Sequence, residues 1–366
     1  MIIYSLLIFN FIHYLLNIVI PNYNGEEHIR TCLSSLLNQT NKNFQIIIVD
    51  NYSSDNSVKI IKDEFSNLLN IYIISLNLNQ GFAKAVNKGI EHSLQDKNVN
   101  YVLLLNNDIE CTKTFVEEML KVFLESEKSP LFSFQRKNMA LGSDHTIIQP
   151  YHNNSFYSSG KVGIVACKML NFYDRKIIDA AGDFIKKKGV PYARGFGEKD
   201  VGQYDKHEYV FGACAGAALY SRHVFEVIGL FDEDFFAYYE DVDFNFRSQI
   251  AGFKCYYNPE AVCYHKRGAT FKKIEGLETM YCERNLISLR IKNYPVSLYL
   301  KYSVFFFLGR IRRYFNFLRH NSITVFIYAV KGYFLGLLHI PSALKKRREI
   351  QKNKNVTVNY LDSLLT

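Results

Sequence analysis

Phe44-Gln-Ile-Ile-Ile-Val-Asp50-Asn51 is an unbroken apolar run closed by two polar residues, and the chain uses the same device three more times by Asp108. Asn17-Ile-Val-Ile20 leads into Pro21-Asn22-Tyr23-Asn24. Ile71-Tyr-Ile-Ile-Ser75 leads into Asn77-Leu-Asn79, and Tyr101-Val-Leu-Leu-Leu105 into Asn106-Asn107-Asp108. Runs of this kind are strands buried on both faces, because a half-exposed strand alternates apolar with polar residues. Between them Glu26 to Leu37, Asp55 to Phe65 and Phe82 to Ser93 read as amphipathic helices, the second with Asp55 as its N-cap. Alternating strands and helices predict an α/β fold around a mostly parallel sheet. Such sheets bind ligands outside the carboxyl ends of their strands, so four polar ends predict one shared crevice.

Beyond a helix at Phe115 to Glu125 the periodicity fades, and residues 126–160 read as an inserted loop. Val162 to Met169 is a further strand, residues 177–207 are irregular, and Phe211 to Tyr220 is a strand of small residues. Ser221 caps a short helix that stops at Gly229, and a second helix runs from Glu240 to Ala251 before Gly252. Cys255 to Tyr257 and Ala261 to Tyr264 are short strands, and beyond Lys272 the chain is helical.

With 366 residues and 48% hydrophobic content the chain holds one large domain with an appendage, or two ordinary ones. Its net charge of +9 is concentrated: Lys301 to Lys352 carries eleven Lys or Arg against the single acid Glu349. A basic stripe over the whole body would indicate nucleic acid, whereas a basic tail interleaved with Phe, Tyr, Leu and Ile indicates an anionic membrane surface. Tyr302 to Leu308 and Val325 to Ile340 are apolar but broken by charges, which argues for amphipathic helices lying in the interface, with Lys345 to Arg348 on lipid phosphates. A helical subdomain packed on the body is the other reading. The apolar residues 1–16 lack the features of a signal peptide and are short for a span. They fit a single N-terminal anchor, an extra core segment or an upstream start. Seven cysteines without zinc spacing read as reduced thiols of a cytoplasmic protein.

Three constellations carry chemistry. Asp108, at a strand end, suits a divalent cation, Mg²⁺ or Mn²⁺, which needs only one or two protein ligands beside phosphate and water. Six carboxylates lie between Asp232 and Asp243, interleaved with aromatics. Glu240 and Asp243 share a helix face, and Asp241 projects about 100° away, where it can take a proton from a hydroxyl. His265 follows an apolar strand and is a candidate ligand, with Lys266 and Arg267 beside it for phosphate oxygens.

With these residues in place the chain resembles the family 2 inverting glycosyltransferases, in particular the rhamnosyltransferase-like branch, over about Asn17 to Arg290. The resemblance implies a GT-A fold over residues 17–290 followed by a basic helical region, residues 291–366. It implies nucleotide contacts from Pro21, Tyr23, Asn24, Asp50, Asn51, Asn79, Gly81, Asn87 and Asn107. It places the metal on Asp108 and His265, the catalytic base at Asp241, and donor or acceptor sugar against Glu240, Asp243 and Gly216. The family's metal motif begins with Asp where this chain has Asn106, which leaves Asp108 as the principal carboxylate.

The implied reaction is a single displacement from a UDP- or dTDP-sugar to a glycan or lipid-linked saccharide, with inversion, on the cytoplasmic face of a membrane. A Rossmann dehydrogenase is excluded, since Pro21-Asn-Tyr-Asn-Gly25 stands where G-x-G-x-x-G is needed. The family pattern of a processive synthase includes a Gln-x-x-Arg-Trp motif, and this chain has no Trp. The rival of a different class is a catalytically weak component that binds nucleotide-sugar or glycan within an assembly complex.

Overall fold

A computed structural model describes residues 15–128, 161–267, 274–320 and 322–366. The expected N-terminal extension and inserted loop therefore lie almost wholly outside the described residues. The four apolar runs form strands β1 (Leu16–Asn22), β2 (Phe44–Asp50), β3 (Ile71–Ser75) and β4 (Tyr101–Leu105). Helices α1 (Ile29–Leu37), α2 (Ser57–Ile60, extended by a π-turn to Phe65) and α3 (Phe82–Gln95) cross between them. β5 (Ile109–Cys111), α4 (Phe115–Lys128), β6 (Val162–Asn171), β7 (Ile178–Ala181), β8 (Asp183–Ile185), β9 (Pro191–Ala193) and β10 (Glu208–Val210) follow. Then come β11 (Ala217–Ser221), α5 (Arg222–Ile228), α6 (Glu240–Ile250) and β12 (Lys254–His265).

The main sheet runs β10-β12-β6-β11-β4-β1-β2-β3, with β5 and β7 paired at its side. The half β4-β1-β2-β3 is parallel, as the helical crossovers require. β11 is antiparallel to both β4 and β6, so the sheet is mixed and not mostly parallel. The reason is connectivity: β11 is reached from the short strands and turns of residues 177–216, with no helix to carry the chain back across a face. The stretch expected as one strand from Phe211 is a strand only from Ala217. Gly212 explains part of this, because a Cβ there would lie 2.3 Å from Asn245 Cγ on α6. The two short strands expected at residues 255–264 are one strand, β12, with an irregular register between Asn258 and Val262.

The last third is helical as expected: α7 (Leu277–Asn293), α8 (Val296–His320), α9 (Ile323–Leu338), α10 (Ile340–Lys352) and α11 (Val358–Ser363). These helices close a core of their own with the body. Phe211, Phe235, Val242 and Phe246 pack with Leu286, Leu289, Tyr294, Leu298, Tyr302, Phe306, Leu361 and Leu365. All seven cysteines are free.

Candidate active site

The site begins with the strand ends. Asn22, wholly buried at the end of β1, donates from Nδ2 to Asp50 Oδ1 (3.1 Å), Ser53 Oγ (3.2 Å) and Ser57 Oγ (2.9 Å). Its Oδ1 accepts from Asn107 Nδ2 at 2.9 Å, so one amide ties three strand ends together. Asn51 donates to Asn79 Oδ1 (3.0 Å) and Gly81 O (3.2 Å) and accepts from Gln80 N (2.8 Å), which draws in the fourth. Asn24 sits at φ +49°, where its Oδ1 accepts from Ser54 N (2.8 Å). Pro21 and Tyr23 flank Asn22 in the same loop. Gly81 at φ +84° starts α3 against the Phe236 carbonyl, which a Cβ would approach to 2.5 Å. Asn87 is different: its amide donates to Phe231 O (2.9 Å) and accepts from Phe231 N (3.0 Å), so it splices α3 to the carboxylate segment and turns away from the loops. Asp55 accepts from Ser57 N (3.0 Å) but also from Glu26 N (2.8 Å), joining two loops as well as starting a helix.

At the end of β4, Asn106 Oδ1 and Asp108 Oδ1 are buried without a hydrogen-bond partner among the described residues. His265 Nε2 stands 3.6 Å from that Asp108 oxygen, too far for a hydrogen bond. On its other side His265 Nδ1 meets Asp179 Oδ2 at 2.7 Å, and Asp179 Oδ1 accepts from Arg267 Nε at 2.7 Å. Burial lowers the His265 pKa, but Asp108 and Asp179 outweigh it and hold the ring up to about 9. An orphaned carboxylate oxygen beside an oriented imidazole fits a divalent cation, whose charge would replace the proton on Nε2. Among the described residues no cluster of three or more His, Cys, Asp or Glu is placed to hold a metal. Protein atoms would thus supply part of a coordination shell and a diphosphate the rest.

The carboxylate cluster divides. Asp232 meets Lys292 and Lys346, and Asp234 bonds Lys346 (2.6 Å) and Ser342 (2.7 Å). Glu233 stands 3.5 Å from Lys84. Asp243, fully buried, is taken by Arg247 (2.9 Å), Asn293 (2.8 Å) and Lys292 (2.8 Å). Its expected role against sugar is therefore replaced by a structural one, because both oxygens are already bonded and no ligand reaches them. Glu240 and Asp241 alone are left without a cation bonded to them. Asp241 is partly exposed in the first turn of α6, where Val242 N donates to Oδ1 (2.8 Å) and Ala215 N to Oδ2 (3.2 Å). Burial still raises its pKa, with those amides pulling it back. Burial and the Asp241 charge raise Glu240 well above its ordinary value, and burial with the same charge does so for Asp183.

The turn that delivers Asp241 is strained, with Phe236, Tyr238 and Tyr239 at φ +58°, +68° and +67°. Asn285 on α7 holds it, donating from Nδ2 to the carbonyls of Phe235 (3.0 Å), Ala237 (2.8 Å) and Tyr238 (2.7 Å). Gly216 accepts from Asn106 N at 2.8 Å, and a Cβ on it would meet only ordinary contacts from 3.4 Å outward. Neither packing nor backbone demands glycine there.

Asn22, read from sequence only as part of a polar strand end, anchors the arrangement, and Asp179, Asp183 and Asn285 complete it without having been singled out. Asp179 and Asp183 had a signal, as acids inside the apolar stretch Ile177-Ile-Asp-Ala-Ala-Gly-Asp-Phe-Ile185. Asn285 had none, since its partners lie 47 to 50 residues away.

The sequence model described as Glycosyl transferase family 2 matches residues 17–229. The chain is 33% identical over 110 residues to the glycosyltransferase GlyA of Streptococcus pneumoniae, which is 30% of this chain and 15% of that protein. It is 25% identical over 237 residues to the low-salt glycan biosynthesis hexosyltransferase Agl10 of Haloferax volcanii, 64% of this chain and 61% of that one. It thus spans less than two thirds of either relative. The crystal structure of S. aureus TarS superposes with a TM-score of 0.50 at 14% identity, covering 92% of this chain and 55% of that one, a likeness of fold.

Proposed function

The chain belongs to glycosyl transferase family 2, and from that premise we propose that it is an inverting hexosyltransferase, rhamnose being one candidate sugar. It moves the sugar from a UDP- or dTDP-sugar to a hydroxyl of a glycan or lipid-linked saccharide, at the cytoplasmic face of a membrane, in the synthesis of cell-surface polysaccharide or glycoconjugate. The likeness to a glycan-biosynthesis hexosyltransferase supports the hexosyl reading. The observation that carries the mechanism is the isolation of Asp241. Four of the six clustered carboxylates are held by lysine or arginine, while Asp241 is oriented only by amides and keeps a raised pKa.

In the proposed reaction Asp241 accepts the proton of the acceptor hydroxyl. The oxygen attacks the anomeric carbon from the side opposite the nucleotide, the bond to the diphosphate oxygen breaks, and configuration inverts. Pro21, Tyr23, Asn24, Asp50, Asn51, Asn79, Gly81 and Asn107 hold the nucleotide, and Gly216 and Glu240 border the sugar. Bound by Asp108 and His265, Mg²⁺ or Mn²⁺ would neutralise charge on the leaving diphosphate. Asp179 fixes His265, and Arg267 adds positive charge beside it.

The test is nucleotide release and sugar transfer across a panel of UDP- and dTDP-sugars, with Mn²⁺, Mg²⁺ or chelator, for wild type and Asp241→Asn. Metal-dependent release that falls by roughly 10² to 10⁴ in the variant supports the proposal. Asn106, standing where the family motif has Asp, favours the second reading of a binding component. Tight nucleotide binding without turnover, indifferent to the substitution, would establish that reading instead.

A further inference from the structure

Twenty-five large hydrophobic side chains are exposed among the described residues, and fifteen of them fall between Val296 and Leu344. Scattered singly such residues are ordinary, but gathered on one face they mark an interaction surface. On α8 they are gathered. Leu300, Val304, Phe307, Ile311, Phe315 and Leu318 recur every three or four residues and are all exposed, which aligns them in one stripe about 27 Å long. Leu298, Tyr302 and Phe306 occupy the opposite side and are buried in the core. A helix apolar on both sides is ordinarily covered on both. This one has cover on one side only among the described residues.

α9 repeats the pattern. Gly332 and Gly336 press it onto α7, where a Cβ would come within 2.3 Å of Met280 O and 2.9 Å of Arg284 O. Its other side exposes Ile323, Ile327, Phe334 and Leu338 at helical spacing.

Charge borders the α8 stripe. Arg312 and Arg319, seven apart, follow one flank of it and are exposed, while Lys301 on the same flank is paired with Asp362 at 2.6 Å. The turn Lys186-Lys187-Lys188 packs against α8 on the side away from the stripe, with Lys188 Cβ 3.6 Å from the Cβ position of Gly309. Burial lowers the Lys188 pKa, and the like charges of Lys186, Arg312 and Arg313 lower it further. Exposed arginines along the flank of an apolar stripe match an anionic surface with an apolar interior. By contrast Lys346 and Arg347 face inward, onto Asp232 and Asp234 and onto the carbonyls of Ile291 and Tyr294. Half of the basic run expected to touch lipid is therefore spent on the body.

We propose that the outward stripes of α8 and α9 lie in the interfacial layer of an anionic bilayer, with Arg312, Arg319 and Lys331 at the level of the lipid phosphates. Among the described residues no single helix is long and apolar enough to cross, and the pair α9 and α10 is bent by 58°. The binding is read without turnover, so it stands or falls apart from the transferase reading.

The chain has no Trp, so Phe307→Trp in the full chain gives a single reporter on the stripe. With phosphatidylcholine vesicles containing a third phosphatidylglycerol its emission shifts to the blue and is quenched by brominated acyl chains. The shift weakens as salt screens the surface charge. In co-sedimentation, Phe307→Glu with Phe315→Glu lowers partitioning on the order of a hundredfold, about tenfold per side chain. Arg312→Gln with Arg319→Gln lowers it about fivefold per charge. All four positions are exposed, and nucleotide binding by the variants stays at the wild-type level. Absence of both shift and quenching sinks the proposal. So does a lipid-free dimer of the wild type that the double Glu variant dissolves, since the stripe is then an interface between copies of this chain.

Discussion

Asp241 and His265 owe their properties to what surrounds them, and each makes a prediction. Burial raises the Asp241 pKa, and the base works only when deprotonated. As pH falls, kcat/KM is therefore lost around an inflection that lies above the ordinary carboxylate range, and a pH profile of the free enzyme reads it directly. An inflection near the usual Asp value, about 3.9, would remove burial from the account. Asp179 lies behind His265 in the role of a positioning residue. In Asp179→Asn the contact to Nδ1 weakens and Arg267 loses its partner, so Mn²⁺ affinity in the presence of nucleotide falls about 10- to 100-fold. Titration followed by electron paramagnetic resonance checks this. Unchanged affinity would reduce the residue to a fold-stabilising pair.

At the scale of elements, the turn before α6 is the feature most dependent on distant chain. Three non-glycine residues stand at positive φ, and one amide that α7 brings from 47 to 50 residues away bonds the Phe235, Ala237 and Tyr238 carbonyls among and beside them. Asn285→Ala leaves three carbonyls without it, a loss of about 1–3 kcal/mol, and kcat drops more than KM changes because Asp241 follows directly on the turn, whereas of the nucleotide loops only Gly81 leans on it. Asn285→Asp is worse than alanine, since it sets a carboxylate against three carbonyl oxygens. Thermal unfolding with steady-state kinetics gives both numbers, and the order Asp milder than Ala would refute the clamp. The same dependence on distance marks what sequence could show. The strands Ile71–Ser75 and Tyr101–Leu105 match their apolar runs to the residue because local pattern dictates them. Asp241 and Asp108 could be singled out as candidates because one lies in the first turn of a helix and the other just beyond a strand. Asp243 was not, because Lys292 and Asn293, which consume it, lie about fifty residues on. The strand expected from Phe211 failed for the same kind of reason, Gly212 being fitted beneath Asn245 and joined to β8 by a single bridge at Asp183.

For the whole molecule, the family match ends at residue 229, yet Asp241, His265 and Asn285 lie beyond it. The fold joins these parts through its last helices. Tyr360 Oη donates to Gln249 Oε1, and Gln249 Nε2 donates at 2.8 Å to the Phe211 carbonyl, two residues before the loop that orients Asp241. Thr366 N donates to Ile185 O at 3.0 Å and Lys187 N to Thr366 O at 2.7 Å, so the tail extends the edge of β8. Leu361, Leu364 and Leu365 are buried in the core shared with Phe211, Phe246 and Tyr302. Removal of residues 358–366 uncovers three leucines at about 2 kcal/mol each, a large part of the roughly 5–15 kcal/mol that keeps a domain folded. The shortened chain is therefore expected to unfold at least ten degrees lower, in steps of several degrees per kcal/mol. Transfer is expected to weaken with it, because the Phe211 carbonyl and the 213–216 loop lose their support. If instead the melting temperature and turnover hold, the C-terminal helices are an appendage carried by a self-sufficient body. Vesicle binding by that body would then depend on α8 and α9 alone, with no consequence for catalysis.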